Sequence, residues 1–159
     1  MREEPIYQIP EKGLTVWRLY GLFNTLIVLM LEIILVVLTT IFEWPKIISL
    51  VGVIIVLIVG IFSIWIFPNI RWNIWRYDVR EHEIEIQNGL FIVKRTLIPM
   101  VRVQHVDTSQ GPVLKKYNLS NISISTAATT HIIPMLVTEE ADHLRARISQ
   151  LARVAEDDV

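Results

Sequence analysis

The chain has 159 residues, and its 15 lysines and arginines against 16 aspartates and glutamates give a formal net charge of −1 at pH 7. This balance excludes the one-signed electrostatic field of a typical nucleic-acid binder. The absence of cysteine excludes disulfides, thiol nucleophiles and thiolate metal sites. Hydrophobic residues make up 52% of the chain, and nearly all of the excess apolarity precedes Asn69.

The first segment, residues 1–18, contains prolines, a glycine and mixed charges. This composition predicts a cytoplasmic lead-in that is irregular over residues 1–15. Trp17, Arg18 and Tyr20 lie where this segment meets the first apolar run and predict an anchor at the lipid headgroups, because aromatic rings and cations are favoured at a membrane interface.

Two apolar runs follow, residues 19–42 and 47–67, separated by Glu43-Trp44-Pro45-Lys46. A helix of about 20 residues crosses a hydrocarbon core of roughly 30 Å, so residues 19–67 predict a hairpin of two transmembrane helices. A buried hairpin of a soluble protein is the alternative, but the remaining chain is too short to cover it. A cleaved signal peptide fits less well, because the first run exceeds the usual apolar core of about 7–15 residues.

The tight turn places both ends of the hairpin on one side of the membrane. The turn carries Lys46 beside Glu43, whereas the cations near the two ends are Lys12, Arg18, Arg71, Arg76 and Arg80. The positive-inside rule therefore predicts a multi-pass protein of the cytoplasmic membrane with both termini in the cytoplasm.

Polar residues inside the first helix form one stripe, because Thr25, Glu32 and Thr39 are seven residues apart, close to two helical turns. The second helix carries a stripe of mostly small residues: Ser49, Gly52, Val56, Gly60 and Ser63. Small residues let two helices approach and polar side chains bond across the contact. Folding about the turn predicts Thr39 near Ser49, Glu32 near Val56 and Gly60, and Thr25 near Ser63.

Glu32 has two interpretations. An intramembrane acid often marks a transport path, so Glu32 could exchange a proton or bind a cationic group in an assembly. The structural alternative is a protonated carboxyl bonded within the hairpin or to a second copy of the chain.

The remaining segment, residues 70–154, predicts a small cytoplasmic β-rich domain with a C-terminal helix and an acidic tail at residues 155–159. Alternating patterns predict strands at Trp72–Val79, Glu83–Gln87 and Leu90–Leu97, with Asn88-Gly89 as a two-residue type I′ turn. After Pro99, alternation predicts further strands from Val101, at Leu119–Thr126 and at His131–Ile133, the last ending at Pro134. Asn118 is predicted to be left-handed, and Thr138 to cap the final helix.

Several stretches together resemble the YdbS-like family, bacterial membrane-flanked proteins with a pleckstrin-homology-like domain. The resemblance covers most of the chain, and its motif positions include Arg102, Gln104, Gly111, Leu114 and Asn118. Asn118 departs from the glycine expected there. The resemblance implies two membrane helices before a seven-stranded domain with a C-terminal helix, and no catalysis. It also implies assembly with itself or with a related membrane-flanked protein, and a role in coping with membrane-active peptides.

No pattern for catalysis, a cofactor or a metal site is evident. The four histidines, His82, His105, His131 and His143, fall in separate predicted elements, and neither a nucleophile elbow nor a phosphate-binding glycine loop occurs. A weak cationic set could contact anionic headgroups or a partner: Lys94, Arg95, Arg102, Lys115 and Lys116. Residues 71–159 contain eleven lysines and arginines and eleven aspartates and glutamates. The alternative is therefore a solvated surface of mixed charge.

The sequence therefore predicts a non-enzymatic membrane protein whose cytoplasmic domain mediates self-assembly or assembly with a related protein. Two alternatives remain. One is a subunit of an export or transport complex that uses Glu32. The other is a sensor of anionic lipid that uses the cationic set.

Overall fold

The computed structural model describes the backbone of residues 4–157 and the side chains of residues 4–155. Two compact units are present. Trp17–Ile70 form one, and the described residues up to Val16 together with those from Arg71 form the other. We call them the apolar unit and the domain.

Long helices build the apolar unit. Helix α1 spans Glu11–Ile41, α2 spans Ile47–Ile61, and a π-helical turn at Phe62–Ile66 leads into α3 at Phe67–Ile74. Two continuous segments, Glu11–Ile41 and Ile47–Ile74, are long and apolar enough to cross a membrane, and only 6% of each apolar window is buried. The predicted hairpin is present, but both of its helices extend further from the turn than residues 19–67.

Pro68 explains the π-helical turn. Proline has no N–H and its ring clashes with the carbonyl one turn earlier, so a proline near the start of α3 disturbs the ladder of hydrogen bonds. The wider turn at Phe62–Ile66 lets the helix continue past Pro68 to Ile74. The strand predicted from Trp72 therefore begins only at Arg76.

Seven antiparallel strands form two sheets in the domain. The first sheet has the order β1-β2-β3-β4 and contains Tyr7–Gln8, Arg76–Val79, Glu83–Asn88 and Lys94–Pro99. A 3-10 turn at Met100–Arg102 leads to the second sheet, whose strands β5, β6 and β7 are Val103–Ser109, Leu119–Thr126 and Thr130–Val137. Helix α4 spans Pro112–Lys116 and α5 spans Thr138–Asp157. The predicted fold class is confirmed: a membrane-type hairpin followed by antiparallel sheets and a C-terminal helix.

The described part of the lead-in up to Val16 belongs to the domain. The prediction of an irregular segment at residues 1–15 was wrong for the described residues from 4 onward. Strand β1 pairs with β2, and the lead-in also contains the first turns of α1. Trp72 Nε1 donates to the Ile9 carbonyl at 2.8 Å, and Gln8 Nε2 donates to the Trp72 carbonyl at 3.0 Å. Ile9 is only 1% exposed, so it is part of the core.

Helix α5 packs against β5, β6 and β7 and closes the core. Its apolar face includes Ala141 and Ile148, which are fully buried. The helix begins at Thr138, which is therefore its first residue and not the predicted cap before it. The Thr138 N–H donates to the Asn118 carbonyl at 3.1 Å, and the Thr138 hydroxyl lies 3.1 Å from Ser120 Oγ. Of the predicted acidic tail, residues 155–157 are the end of α5, and residues 158 and 159 lie outside the described residues.

One predicted turn and one predicted strand end differ from the structure. Asn88 pairs with Lys94, so residues 89–93 form a loop instead of a two-residue turn, and Gly89 has a φ of 144°. Pro134 does not end its strand, because β7 continues to Val137. The pairing of β6 with β7 shifts register between Ser120 and Ile122, opposite Pro134. The ladder therefore does not need the N–H that proline lacks.

Asn118 adopts the predicted left-handed conformation, with a φ of 55°. We expect Asn118→Val to lower the free energy of unfolding by about 1–2 kcal/mol, because a branched side chain clashes with its own backbone in this region. Asn118→Gly should stay within a few tenths of a kcal/mol of the parent. Thermal unfolding in mild detergent measures both, and equal stability of the two variants would contradict this role of the turn.

Candidate functional site

The polar stripe of α1 faces α2 inside the apolar unit. Thr39 Oγ1 and Ser49 Oγ are 2.8 Å apart and share a hydrogen bond. Near the opposite end, Asn24 Nδ2 lies 3.5 Å from Ser63 Oγ. The Arg18 guanidinium lies 5.6 Å from the ring centre of Trp65. Polar contacts therefore occur at both ends of the helix pair.

Glu32 lies in the middle of this contact and is 8% exposed. Its carboxylate fills the space that a side chain at Gly52 would take, and its Oε1 has no hydrogen-bond partner among the described residues. Thr25 lies against Gly60, where a Cβ would be 3.3 Å from Thr25 Cγ2. Glu32 and Thr25 each lie about one helical turn from their predicted partners on α2. In the structure both side chains are opposite glycines, which leave room for them.

The cationic set does not form one patch. Arg102 precedes Val103, which pairs with Thr126 at one end of β6, whereas Lys115 and Lys116 end α4 just before the other end of β6. An eight-residue strand is roughly 25 Å long, so the two groups lie far apart. Lys94 and Arg95 begin β4, and Arg95 Nε donates to Gln87 Oε1 at 2.8 Å.

The family-motif positions lie around β5 and α4. Arg102 and Gln104 are exposed, and the pairing of β5 with β6 shifts register between Val103 and His105. Gly111 precedes α4, and Leu114 on that helix is only 4% exposed. Gly111, Leu114 and Asn118 therefore lie in the connection between β5 and β6, whereas Arg102 and Gln104 lie at the start of β5.

A cluster of three carboxylates around Arg80 was missed from the sequence. Asp78 and Glu85 are cross-strand partners and are only 5% and 4% exposed. Arg80 Nε lies 2.9 Å from Asp78 Oδ2, and the guanidinium also lies 3.6 Å from Glu83 and 3.7 Å from Glu85. The hydrogen bond to Asp78 and the attraction of all three carboxylates raise the pKa of Arg80. Arg80 therefore keeps its charge and stabilises the two buried acids.

A groove between β1, β2 and α5 was also missed. The rings of Tyr7 and Tyr77 stack at one wall with their centres 5.6 Å apart. The groove has a volume of about 500 Å³, and α5 contributes Glu140, His143, Leu144 and Arg147 to it. These four lie on one helix face at spacings of three and four, and that spacing was the available signal. We call this feature the tyrosine groove.

Tyr77 gives the tyrosine groove a pH-dependent signature. Burial raises the pKa of Tyr77 to about 12, and Glu140 and Tyr7 add to the increase. The unfolded chain releases this proton near pH 10. The stability from neutral Tyr77 is therefore complete below about pH 10 and is lost as the pH rises through about 12.

We expect one of the four tyrosines to ionise late when the ultraviolet absorbance of tyrosinate is followed against pH. Tyr77→Phe should remove this late step, and Tyr117→Phe should leave it in place. A single ionisation near pH 10 for all tyrosines of the folded protein would contradict this assignment.

The four histidines lie on different elements and turns of the domain. His82 follows β2, His105 lies on β5, His131 on β7 and His143 on α5. Among the side chains described for residues 4–155, no group of three histidines, aspartates or glutamates is arranged to hold a metal ion.

Comparisons with known proteins place these features in a family. Residues 22–152 match the family described as "Bacterial PH domain". The chain is 54% identical over 159 residues to the UPF0699 transmembrane protein YdbS of Bacillus subtilis (strain 168), which covers 100% of both chains. It is also 27% identical over 95 residues to the UPF0699 transmembrane protein YdbT of the same organism, covering 56% of this chain but 19% of YdbT.

No solved structure matches the chain. The family match nevertheless spans both the helical hairpin and the domain, and the YdbS match extends over the whole length, including the lead-in that supplies β1. The chain therefore belongs to the bacterial PH domain family and is a YdbS-like membrane protein.

Proposed function

We propose that this protein is a non-enzymatic assembly module of the cytoplasmic membrane, with both termini in the cytoplasm. Its domain binds a second copy of the chain or a related membrane-flanked protein. The observation that supports this function best is the tyrosine groove, an open cleft of about 500 Å³ beside a sheet edge. Concave sites that mix aromatic, apolar and charged side chains are typical of binding surfaces.

The edge of the sheet favours a protein partner. Strand β1 is the outermost strand of its sheet, so no described strand pairs with its outer side. Tyr7 is 51% exposed at this edge. An extended segment of a partner can pair with such an edge and place side chains against the adjacent helix.

The similarity to YdbT supports a related partner. The matching 95 residues make up only 19% of YdbT, so a related segment also occurs inside a much longer transmembrane protein. A related segment in another transmembrane protein offers a comparable binding surface. Assembly of this kind fits a role in defence against membrane-active peptides, as the family resemblance implies.

Intact-mass measurement after gentle membrane extraction tests assembly. We expect the full-length protein to be recovered with a second copy or a related protein. Arg147→Glu should abolish that complex, because Arg147 lines the groove and the change reverses its charge. Arg153→Glu is the matched control, since Arg153 is exposed on the same helix and does not line the groove.

The parent protein tests whether assembly occurs, and the two variants test whether the tyrosine groove is the interface. A strictly monomeric parent with no partner recovered by cross-linking would contradict assembly. Equal behaviour of Arg147→Glu and Arg153→Glu would exclude the tyrosine groove as the interface.

Glu32 supports a second candidate, a subunit of an export or transport complex. Its buried Oε1 has no hydrogen-bond partner among the described residues, and an unsatisfied acid at membrane depth is costly unless it has a function. Glu32→Gln should then abolish resistance to membrane-active peptides while insertion and assembly persist. Full resistance of a strain carrying this variant would remove the transport hypothesis.

A further inference from the structure

The loop between β3 and β4 exposes consecutive apolar side chains. Phe91 is 85% exposed, Ile92 83% and Val93 51%. Scattered apolar residues are normal on protein surfaces, but a contiguous group at the tip of a hairpin marks an interaction site. We call residues 90–93 the apolar loop.

The loop has a defined entry. Gly89 has a φ of 144°, which an L side chain rarely adopts, and a Cβ at this position would overlap the Ile92 carbonyl. Glycine is therefore required where β3 ends, and the backbone of the apolar loop folds back over it.

A hydrogen bond and a shared cavity place the apolar loop at the end of the domain that contains Arg71, the first residue after the apolar unit. Gln87 Nε2, near the end of β3, donates to the carbonyl of Ile74 at 3.2 Å. Ile74 is the last residue of α3, the continuation of the second membrane-type helix. Asn88 and Arg71 line the same cavity of about 340 Å³, and Arg71 directly follows the apolar unit.

The charge next to the loop suits a lipid surface. Lys94 is exposed and immediately follows Val93. Arg95 follows, is exposed, and is held by Gln87 and by Glu4, whose Oε1 lies 3.6 Å from Arg95 Nη2. In a membrane interface the lipid phosphates lie just outside the acyl chains. The apolar side chains of the loop suit the acyl chains, and the long Lys94 side chain can reach the phosphates.

We propose that the apolar loop inserts into the bilayer leaflet from which the helical hairpin emerges, with the Lys94 ammonium at the lipid phosphates. Insertion gives the domain a second attachment to the membrane and fixes its orientation. This proposal rests on the membrane location of the chain and does not depend on assembly through the tyrosine groove.

Depth-dependent quenching tests the insertion. The chain has no cysteine, so Phe91→Cys provides a single site for a polarity-sensitive fluorophore. Full-length protein is placed at one copy per disc in nanodiscs of phosphatidylcholine and phosphatidylglycerol. We expect at least a twofold loss of fluorescence when lipids with a nitroxide near the headgroup are included.

Glu81→Cys provides the matched control. Glu81 is exposed in the turn before β3, at the other end of the strand from the apolar loop, and a six-residue strand is roughly 20 Å long. A label at residue 81 should show little quenching. Equal quenching at 91 and 81, or none at either, would overturn the proposal.

Discs with two copies of the protein separate lipid from a protein partner. If the label at residue 91 shifts to shorter wavelength only when a disc holds two copies, and lipid nitroxides do not quench it, the loop binds another chain and the proposal is wrong.

A second variant tests the role of Lys94. Lys94→Glu should reduce the quenching at residue 91 in discs that contain phosphatidylglycerol more than in discs of pure phosphatidylcholine. An equal reduction in both would contradict the role of Lys94 at anionic headgroups.

Discussion

Replacing Gly21 by valine is expected to separate the two membrane helices. Gly21 is buried in α1, and a Cβ at this position would overlap the Ser63 carbonyl oxygen and lie 2.6 Å from the carbonyl carbon. The obstacle is backbone, which cannot rotate away as a side chain can. Because small residues are what permit close helix packing in lipid, the α1–α2 contact should be lost.

Cross-linking of a cysteine pair at positions 24 and 63 reports this contact. Asn24 and Ser63 touch in the parent, so the pair should cross-link in high yield there and poorly in the Gly21→Val background. Gly60→Ala is the control, because its Cβ would meet only a methyl group, Thr25 Cγ2, at 3.3 Å. Efficient cross-linking in Gly21→Val would show that the helices do not pack as described.

Truncating Ile9 to alanine is expected to lower the free energy of unfolding of the domain by about 2–5 kcal/mol, the usual cost for a fully buried isoleucine. The size of this effect is unexpected from the sequence, because Ile9 precedes the membrane helices. Its side chain nevertheless contributes to the core of a domain whose other strands all follow those helices.

Ile6→Ala is the matched control, because this substitution removes the same atoms from a side chain that is 72% exposed. Denaturant unfolding of the full-length protein in nanodiscs, followed by tryptophan fluorescence, measures both variants. Trp75 is 3% exposed in the domain and reports its unfolding. If Ile9→Ala is as stable as Ile6→Ala, the lead-in is not part of the core.

Local patterns predicted much of this fold. The apolar runs gave the hairpin, because a long apolar helix needs no distant partner to be recognised. Strand β6 was predicted with its observed bounds, Leu119–Thr126, and the left-handed Asn118 was confirmed. In each case the physical cause lies within a few residues of the sequence.

The features that were missed depend on distant residues. Strand β1 contains two residues, too few to show any periodicity, and forms only because β2 pairs with it. The tyrosine groove combines residues 7–10, 77–79 and 140–147, which the fold alone brings together. The predicted partner of Glu32 was about one helical turn from the observed one. The prediction folded the two helices evenly about the turn, whereas the Glu32 side chain needs the space that only Gly52 leaves free.

Chemical labelling of intact cells tests the membrane arrangement most directly. Trp44 is 48% exposed in the turn between the two helices, and Gln150 is exposed on α5 of the domain. In a cysteine-free chain, Trp44→Cys should react with a membrane-impermeant maleimide added outside the cell. Gln150→Cys should react only after the cells are opened. Reaction of Gln150→Cys in intact cells, or release of the protein from membranes by alkaline carbonate without detergent, would contradict a hairpin that crosses the membrane and holds the domain in the cytoplasm.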